Sequence, residues 1–163
     1  MGVPYGSFQV AGNTTALNCP NAGVVLTSAN MNLAVNSVSQ QGDQSISLAA
    51  ATGRATLKPG FYQIEARLTI EGEFTSGTSG DAIGVITGQV YRGGSAVAGT
   101  KGKCHTQAEG QATVLSFGGV LEITKAQYDA DTNYVDFRLF GGDANGNDVI
   151  VSEGQIVITR LDG

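Results

Sequence analysis

The clearest pattern in the chain is an alternation of hydrophobic and polar residues between Phe61 and Glu71. Successive side chains of a β-strand point to opposite faces, so a period of two predicts a strand with one buried face. A turn signal at residues 58–60, Lys-Pro-Gly, marks where this strand starts. The hydrophobic face, which we predict to be the core strand, comprises Tyr62, Ile64, Ala66, Leu68 and Ile70.

The same period recurs at residues 134–140 and 154–160, and more weakly in other short segments. These segments are 24–27, 33–38, 45–49, 54–57, 83–91, 96–100 and 111–123. Gly, Asn, Asp and Ser separate them, a pattern typical of antiparallel sandwiches and barrels. Residues 91–95 and 143–148 are predicted hairpin turns, because Gly and Asn readily adopt positive φ. The sequence therefore predicts an all-β fold.

Helix is predicted only at residues 124–130, where Thr124 and Gln127 have the spacing of a capping box. Residues 1–20 are rich in Gly and Asn and are predicted to form an extended N-terminal arm, with the folded domain at residues 21–163. Such an arm is ordered where it docks on a partner. Within it, the candidate partner contacts are Pro4, Tyr5 and Phe8.

Length and charge narrow the class of protein. The 163 residues suffice for one domain with a buried core, and the net charge is −5. The nine Lys and Arg residues are scattered singly, which argues against a nucleic-acid partner. No apolar run approaches the roughly 18 residues that cross a bilayer, so no membrane span is predicted. The N-terminus lacks the features of a secretory signal, so we expect a complete product made in a host cytoplasm without export.

Three residues with reactive side chains lack the partners that chemistry would need. Cys19 and Cys104 form no Cys-x-x-Cys motif and are predicted to be reduced, buried thiols. His105 is the single histidine, and neither a metal-ligand set nor a Gly-x-Ser-x-Gly elbow accompanies it. We therefore expect His105 to be a polar residue in a loop or at a strand edge.

Metal and cofactor motifs are incomplete. Residues 129–133 and 143–148 alternate oxygen-bearing side chains as calcium loops do, but both lack the Gly and Glu of the EF-hand pattern. The glycine-rich runs at 77–80 and 99–103 match neither the Walker nor the dinucleotide motif. We therefore predict no metal and no cofactor, and calcium binding by the two loops stays an open alternative.

Enzymatic activity is not predicted, although one alternative stays open. Carboxylates for a glycoside-hydrolase pair are available at Glu65, Glu71, Glu73, Glu109, Glu122 and Glu153. The chain has no Trp, and most of its Tyr and Phe residues fall at strand positions, where core packing is expected rather than sugar stacking.

The residues from Lys58 to Ile70 resemble the signature strand of C1q/TNF-like jelly rolls, in which a Pro-Gly-aromatic-Tyr turn leads into an alternating strand. Residues 90–97 resemble the hairpin of that family, and residues 155–161 lie where its closing strand falls. The resemblance covers residues 54–161 and departs at 126–134, where the family carries a short Gly-Asp turn. It implies an antiparallel two-sheet jelly-roll sandwich that assembles as a homotrimer.

Trimers of this kind also occur in phage head decoration (cement) proteins and in fibre tips. A short, acidic, glycine-rich jelly roll with an N-terminal arm is most similar to the decoration proteins. The expectation is a structural virion protein on the outer capsid surface, bound over junctions of the major capsid protein and stabilising the shell. The alternative is the trimeric receptor-binding head of a phage fibre, which recognises a host surface ligand. An enzyme or a secreted C1q-like effector is a third hypothesis, but the sequence contains neither a catalytic motif nor a signal peptide to support it.

Overall fold

Two antiparallel β-sheets make up the fold in the computed structural model, which describes residues 3–39, 44–72, 84–106, 111–142 and 147–162. Two short helices, α1 (Ser28–Met31) and α2 (Lys125–Asp129), lie in connections. No helix in these ranges is long and apolar enough to cross a membrane. The strands are β1 (Tyr5–Val10), β2 (Ala16–Cys19), β3 (Val24–Val25), β4 (Ala34–Ser39), β5 (Ile46–Ala49), β6 (Arg54–Leu57), β7 (Gly60–Gly72), β8 (Gly84–Arg92), β9 (Ser95–Ala96), β10 (Gly102–Thr106), β11 (Ala112–Ile123), β12 (Tyr134–Gly141) and β13 (Asn147–Arg160).

The strand order is that of a sandwich in which the two ends of the chain lie side by side. Sheet A has the order β11-β7-β13-β1-β4, with β2 also paired to β13. Sheet B has the order β10-β8-β12-β6-β5, with β3 paired to β12 and β9 to β8. These pairs are antiparallel throughout. The predicted antiparallel two-sheet jelly-roll sandwich is therefore confirmed.

Strand β7 is the central strand on which sheet A is built. It pairs along almost its whole length with β11 on one side and β13 on the other. The hydrophobic face predicted from its alternation points into the sandwich, and none of those five side chains is more than 3% exposed. Tyr62 Oη donates a hydrogen bond to the carbonyl of Lys58 at 2.8 Å, so the polar end of this buried ring is satisfied.

The N-terminal segment forms a strand of sheet A, and this differs from the predicted arm. Strand β1 pairs with β13 on one side and β4 on the other. Phe8 is fully buried, and its ring packs edge-on against Phe137 with centroids 6.2 Å apart. Gly6, Phe8 and Val10 alternate inward, but the glycine conceals this period of two in the sequence. Residue 20 is therefore not the start of the folded part.

The local motifs had mixed outcomes. The capping box of α2 is confirmed, since Thr124 Oγ1 accepts from Gln127 N at 3.2 Å and Gln127 Oε1 accepts from Thr124 N at 2.8 Å. The hairpin at residues 91–95 is also confirmed, with both central glycines at positive φ. The strand predicted at 96–100 is wrong apart from its first residue, and β10 was not predicted. Residues 143–146 of the second predicted turn lie outside the described residues.

Glycines allow the sandwich to close at the edge where β10 meets β11. A Cβ on Gly102 would lie 1.9 Å from the Ser116 carbonyl oxygen, so only glycine permits this approach. Gly118 N donates to the Thr100 carbonyl at 3.1 Å, and Gly118 has a φ of +140°. The segment before β10 is therefore held directly against the backbone of β11.

The adjacent glycines 118 and 119 provide a test of this edge. A Cβ at Gly118 would lie 2.1 Å from the Ile64 carbonyl oxygen, whereas one at Gly119 would meet Thr100 Cγ2 at an ordinary 3.5 Å. We expect Gly118→Ala to lower the free energy of unfolding by about 2 kcal/mol or more through strain and overpacking. Gly119→Ala is the matched control and should be neutral or slightly stabilising. Urea unfolding of both variants checks this, and equal effects would contradict the close-approach argument.

The two cysteines differ in their surroundings. Both are free thiols; Cys19 on β2 is buried, and Cys104 on β10 is only partly buried, which corrects the prediction that both are buried. Burial raises the pKa of the Cys19 thiol from 9.0 to about 12, and the charges of Asp148 and Cys104 add to the shift. Burial also raises the pKa of Cys104. Cys19 therefore stays protonated, and hence unreactive, at neutral pH.

This pKa shift predicts a loss of stability at alkaline pH. The unfolded chain releases the Cys19 proton near pH 9.0, before the folded chain does at about 12, so the stabilisation is complete below pH 9 and falls across that interval. We expect urea unfolding to show a steeper decline above pH 9.0 in the wild type than in Cys19→Ala. The slopes should differ by up to about 1.4 kcal/mol per pH unit. Cys104→Ala should keep most of the decline, and parallel wild-type and Cys19→Ala profiles would refute the assignment.

Candidate functional site

Five exposed hydrophobic side chains gather at one end of the outer face of sheet A. They are 40–59% exposed, and we call this surface the apolar patch. Contiguous exposed apolar surface of this kind marks interaction sites in soluble proteins. The members of the apolar patch are Val3, Tyr5, Phe61, Val120 and Leu161.

Strand register explains why three neighbouring strands contribute to the apolar patch. Tyr5 lies opposite Thr159 of β13, two residues before Leu161. Leu161 N in turn donates to the Phe61 carbonyl at 2.8 Å, which brings the end of β13 alongside β7. Residues two apart on a strand share a face, so Tyr5, Leu161 and Phe61 all point outward, as does Val3 before Tyr5.

The apolar patch continues onto β11. Val120 lies opposite Gln63, two residues after Phe61, and is the most exposed of the five side chains at 59%. Glu122, opposite Phe61, supplies charge at its rim. Fully burying a side chain of this size stabilises a complex by about 1.5–3 kcal/mol, so a partner covering several of them gains a substantial free energy.

The structure places the three predicted partner contacts within residues 1–20 in different surroundings. Pro4 is buried, and its carbonyl accepts from Arg160 N at 2.9 Å. Phe8 lies in the core, so neither side chain can reach a partner. Tyr5 alone of the three is exposed, and it faces outward as part of the apolar patch.

A polar depression of about 490 Å³ lies on the same face of sheet A. It forms where Gly118 of β11 presents no side chain opposite Glu65 of β7. Gln63 Nε2 donates to Glu65 Oε1 at 3.0 Å, and Arg67 lines the depression beside them. The outer face of sheet A therefore combines an apolar end with a polar centre.

Of the candidate carboxylates, the structure brings Glu65 and Glu153 to one shallow groove of about 340 Å³. Glu153 lies opposite Thr69, four residues along β7 from Glu65, or about 13 Å at the rise of a strand. Arg67 lies between them, and Glu153 Oε1 also accepts from Gly12 N at 3.0 Å. Carboxyl groups that hydrolyse glycosides lie about 5–9.5 Å apart, so these two side chains would have to extend towards each other past Arg67 to form such a pair.

The other candidate carboxylates are dispersed. Glu71 and Glu122 are at opposite ends of the β7–β11 pair, opposite Ala112 and Phe61. Glu73 and Glu109 lie outside the described residues.

The candidate metal ligands also lie apart. His105 is on β10, where its Nδ1 lies 3.0 Å from the Thr106 carbonyl oxygen. In the 129–133 loop, Asp129 pairs with Lys125 Nζ at 2.6 Å, and Asn133 Nδ2 donates to the Leu57 carbonyl at 2.7 Å. Across the described ranges, no three His, Cys, Asp or Glu side chains converge as a metal would require.

The outer face of sheet B carries a set of interlocked charged and aromatic side chains. The Arg138 guanidinium pairs with both carboxylate oxygens of Asp136, at 2.9 and 3.3 Å, although Asp136 is only 2% exposed. The same guanidinium lies 4.0 Å from the centroid of the Tyr91 ring. The hydrogen bond to Asp136 raises the pKa of Arg138, so it stays charged. Arg54 lies over Tyr134 at the same distance.

A groove of about 320 Å³ runs beside this set, and we call it the aromatic groove. The Tyr91 and Phe140 rings stack along it with centroids 5.9 Å apart and planes at 26°. Most aromatic side chains are predicted to lie in the core, but the alternation of β12 indicates an outward position for Phe140. If Phe137 and Leu139 point inward, Phe140 must point outward. The residues lining the aromatic groove are Thr87, Gln89, Tyr91, Lys101, Lys103 and Phe140.

Comparison with known proteins supports the fold. No family model and no curated protein matches the chain. Among solved structures, murine APRIL at pH 5.0 is similar with a TM-score of 0.56 and 8% identity, over 98% of this chain and 99% of that one. Eiger TNF from S. frugiperda is similar with a TM-score of 0.57 and 9% identity, over 97% and 93%. At such identities the likeness concerns the fold alone, and by that measure this chain has a TNF-like jelly-roll fold.

Proposed function

We propose that this protein is a non-enzymatic homotrimer that decorates a phage capsid, binding over junctions of the major capsid protein and stabilising the shell. The observation that carries the proposal is the apolar patch. A monomer leaves these five large hydrophobic side chains in water, whereas an adhesive protein buries them against a partner.

The surface we assign to trimer formation is the end of the outer face of sheet A that carries the apolar patch. A stable interface buries about 800 Å² on each partner, with an apolar centre and a polar rim. The apolar patch and its charged neighbour Glu122 match that arrangement. The TNF-like fold adds support, because the resemblance to C1q/TNF-like jelly rolls implies a trimer.

The capsid contact in this proposal does not use an N-terminal arm, since β1 belongs to sheet A. With sheet A turned towards the trimer axis, the outer face of sheet B and the loops remain available to the shell. A trimer carries three identical contact surfaces, so binding through one of them raises the effective concentration of the other two at the capsid and strengthens the overall binding. Binding to the assembled shell, but not to free subunits, shifts the equilibrium towards the shell.

A second candidate function is the trimeric receptor-binding head of a phage fibre. The observation that favours it is the aromatic groove, which displays two stacked rings and two lysines on the face that such a trimer presents outward. Binding of the trimer to host cells rather than to capsids would select this candidate.

The first test is the oligomeric state by light scattering. We expect a particle of three 16.7 kDa chains, about 50 kDa, which is a closed three-fold homo-oligomer. Val120→Glu should shift the protein towards the monomer, because a charge buried in an apolar interface costs about 2 kcal/mol or more. Val114→Glu, also outward on β11 but opposite Thr69, is the matched control and should remain trimeric. A wild-type monomer would contradict the proposal.

The second test is co-sedimentation with expanded empty phage capsids that lack their own decoration protein. The wild-type trimer should pellet with the capsids saturably and raise the temperature at which they rupture, as ligand linkage requires. Val120→Glu should bind more weakly, because a monomer makes one contact with the capsid where the trimer makes three. Val114→Glu should behave as the wild type. A trimer that stays in the supernatant would rule out the decoration role and leave the receptor-binding head.

A further inference from the structure

We propose that the aromatic groove binds an acidic saccharide, meaning a sugar that carries a carboxylate. The groove lies between β10, β8 and β12 on the outer face of sheet B. Its volume of about 320 Å³ is at the lower end of the range for small-molecule sites, about 300–1,000 Å³. This binding goes beyond the capsid role and does not depend on it.

The groove presents both kinds of surface that a sugar ring needs. Tyr91 and Phe140 line the groove, and the parts of their rings not covered by Arg138 or by each other offer apolar surface to the C–H groups of a pyranose. Thr87 and Gln89 bring a hydroxyl and an amide to the same wall for its hydroxyl groups. Gln89 Nε2 donates to the Val97 carbonyl at 3.3 Å, which holds the amide in position.

Charge selects an acidic sugar over a neutral one. Lys103 lies opposite Thr87, and Lys101 precedes it by two residues on the same side of the groove. Within the described part of the chain, no carboxylate lies within ion-pair distance of either ammonium group. Arg138, by contrast, is already paired with Asp136. In a protein of net charge −5, these two lysines form a local site of positive charge.

The aromatic wall of the groove is held in place before any ligand arrives. Phe140 packs on the backbone at Gly23, where an added Cβ would lie 2.4 Å from the ring. Tyr91 is held between its stack on Phe140 and its contact with the Arg138 guanidinium. Asp136 fixes that guanidinium through two hydrogen bonds. Such preorganisation reduces the ordering that binding requires.

Two other kinds of anion test whether the groove selects an acidic sugar. Inorganic phosphate would be attracted by the two lysines but would gain nothing from the rings. A nucleotide would use both the lysines and the rings, through its phosphate and its base. The direct competitors in the experiment are therefore phosphate, AMP and a neutral sugar.

The experiment compares methyl β-D-glucuronide with methyl β-D-glucoside, which differ only at the C6 carboxylate. In NMR titrations of the full chain, we expect the glucuronide to shift the amides of β8 and β10 and to bind more tightly than the glucoside. Added salt should weaken glucuronide binding, because the ammonium groups are exposed. Phosphate and AMP at equal concentration should not displace the glucuronide.

Three variants locate the site. Lys103→Gln should weaken glucuronide binding about two- to fivefold, the effect of one exposed charge pair. Lys125→Gln on α2 removes another exposed lysine, one that lies outside the groove, and should leave binding unchanged. Tyr91→Leu keeps the apolar bulk but removes the ring, and it should weaken binding of both sugars. Thermal unfolding verifies that each variant is folded.

The inference is overturned if the two glycosides bind equally, if Lys103→Gln binds the glucuronide like the wild type, or if AMP binds more tightly. These results leave the proposed trimer intact, because the groove variants do not touch the apolar patch. They should remain trimers by light scattering. Conversely, a monomeric wild type that still prefers the glucuronide would reject the proposed assembly and retain the sugar site.

Discussion

The backbone pairing of β7 with β11 and β13 is the constraint on which both surfaces of this molecule depend. That pairing fixes a single register, and a slip by one residue would expose Leu68 and bury Arg67. The cost of burying Arg67 and its neighbouring glutamates keeps the register unique. Once it is set, Phe61 and Val120 must point outward, so the apolar patch follows from the requirements of the core.

Much of the fold could be predicted from the sequence because a half-buried strand displays its period directly. The signal was strong at Tyr62–Ile70, where every inward position is apolar. It was weak in β1, where Gly6 occupies an inward position, since a Cβ there would press on Ile46 and Leu48 at 3.1 Å. Because glycine has no side chain, an inward glycine gives no hydrophobic signal, and the sequence pattern of this segment therefore predicts an arm rather than a strand.

The candidate sites could be predicted less well, because they depend on which outward residues of distant strands become neighbours. Phe61 and Leu161 are 100 residues apart in number but adjacent in sheet A. Tyr91 and Phe140 meet only because β8 pairs with β12 in one register. Alternation predicts which side chains face outward. It does not predict which residue of the neighbouring strand lies beside each of them.

The two outer faces differ in chemistry, and this difference bears on function more than the fold does. Sheet A presents the apolar patch and the acidic Glu65, Glu71 and Glu153 around Arg67, whereas the outer positions of sheet B include Arg54, Lys103 and Arg138, the last paired with Asp136. A fold shared at 8–9% identity requires only that the inward pattern be kept, so outward residues are free to vary. Opposite faces of one thin sandwich can therefore serve self-association and ligand binding separately. Under the two proposals, a substitution on one outer face would alter that surface without disturbing the core between them.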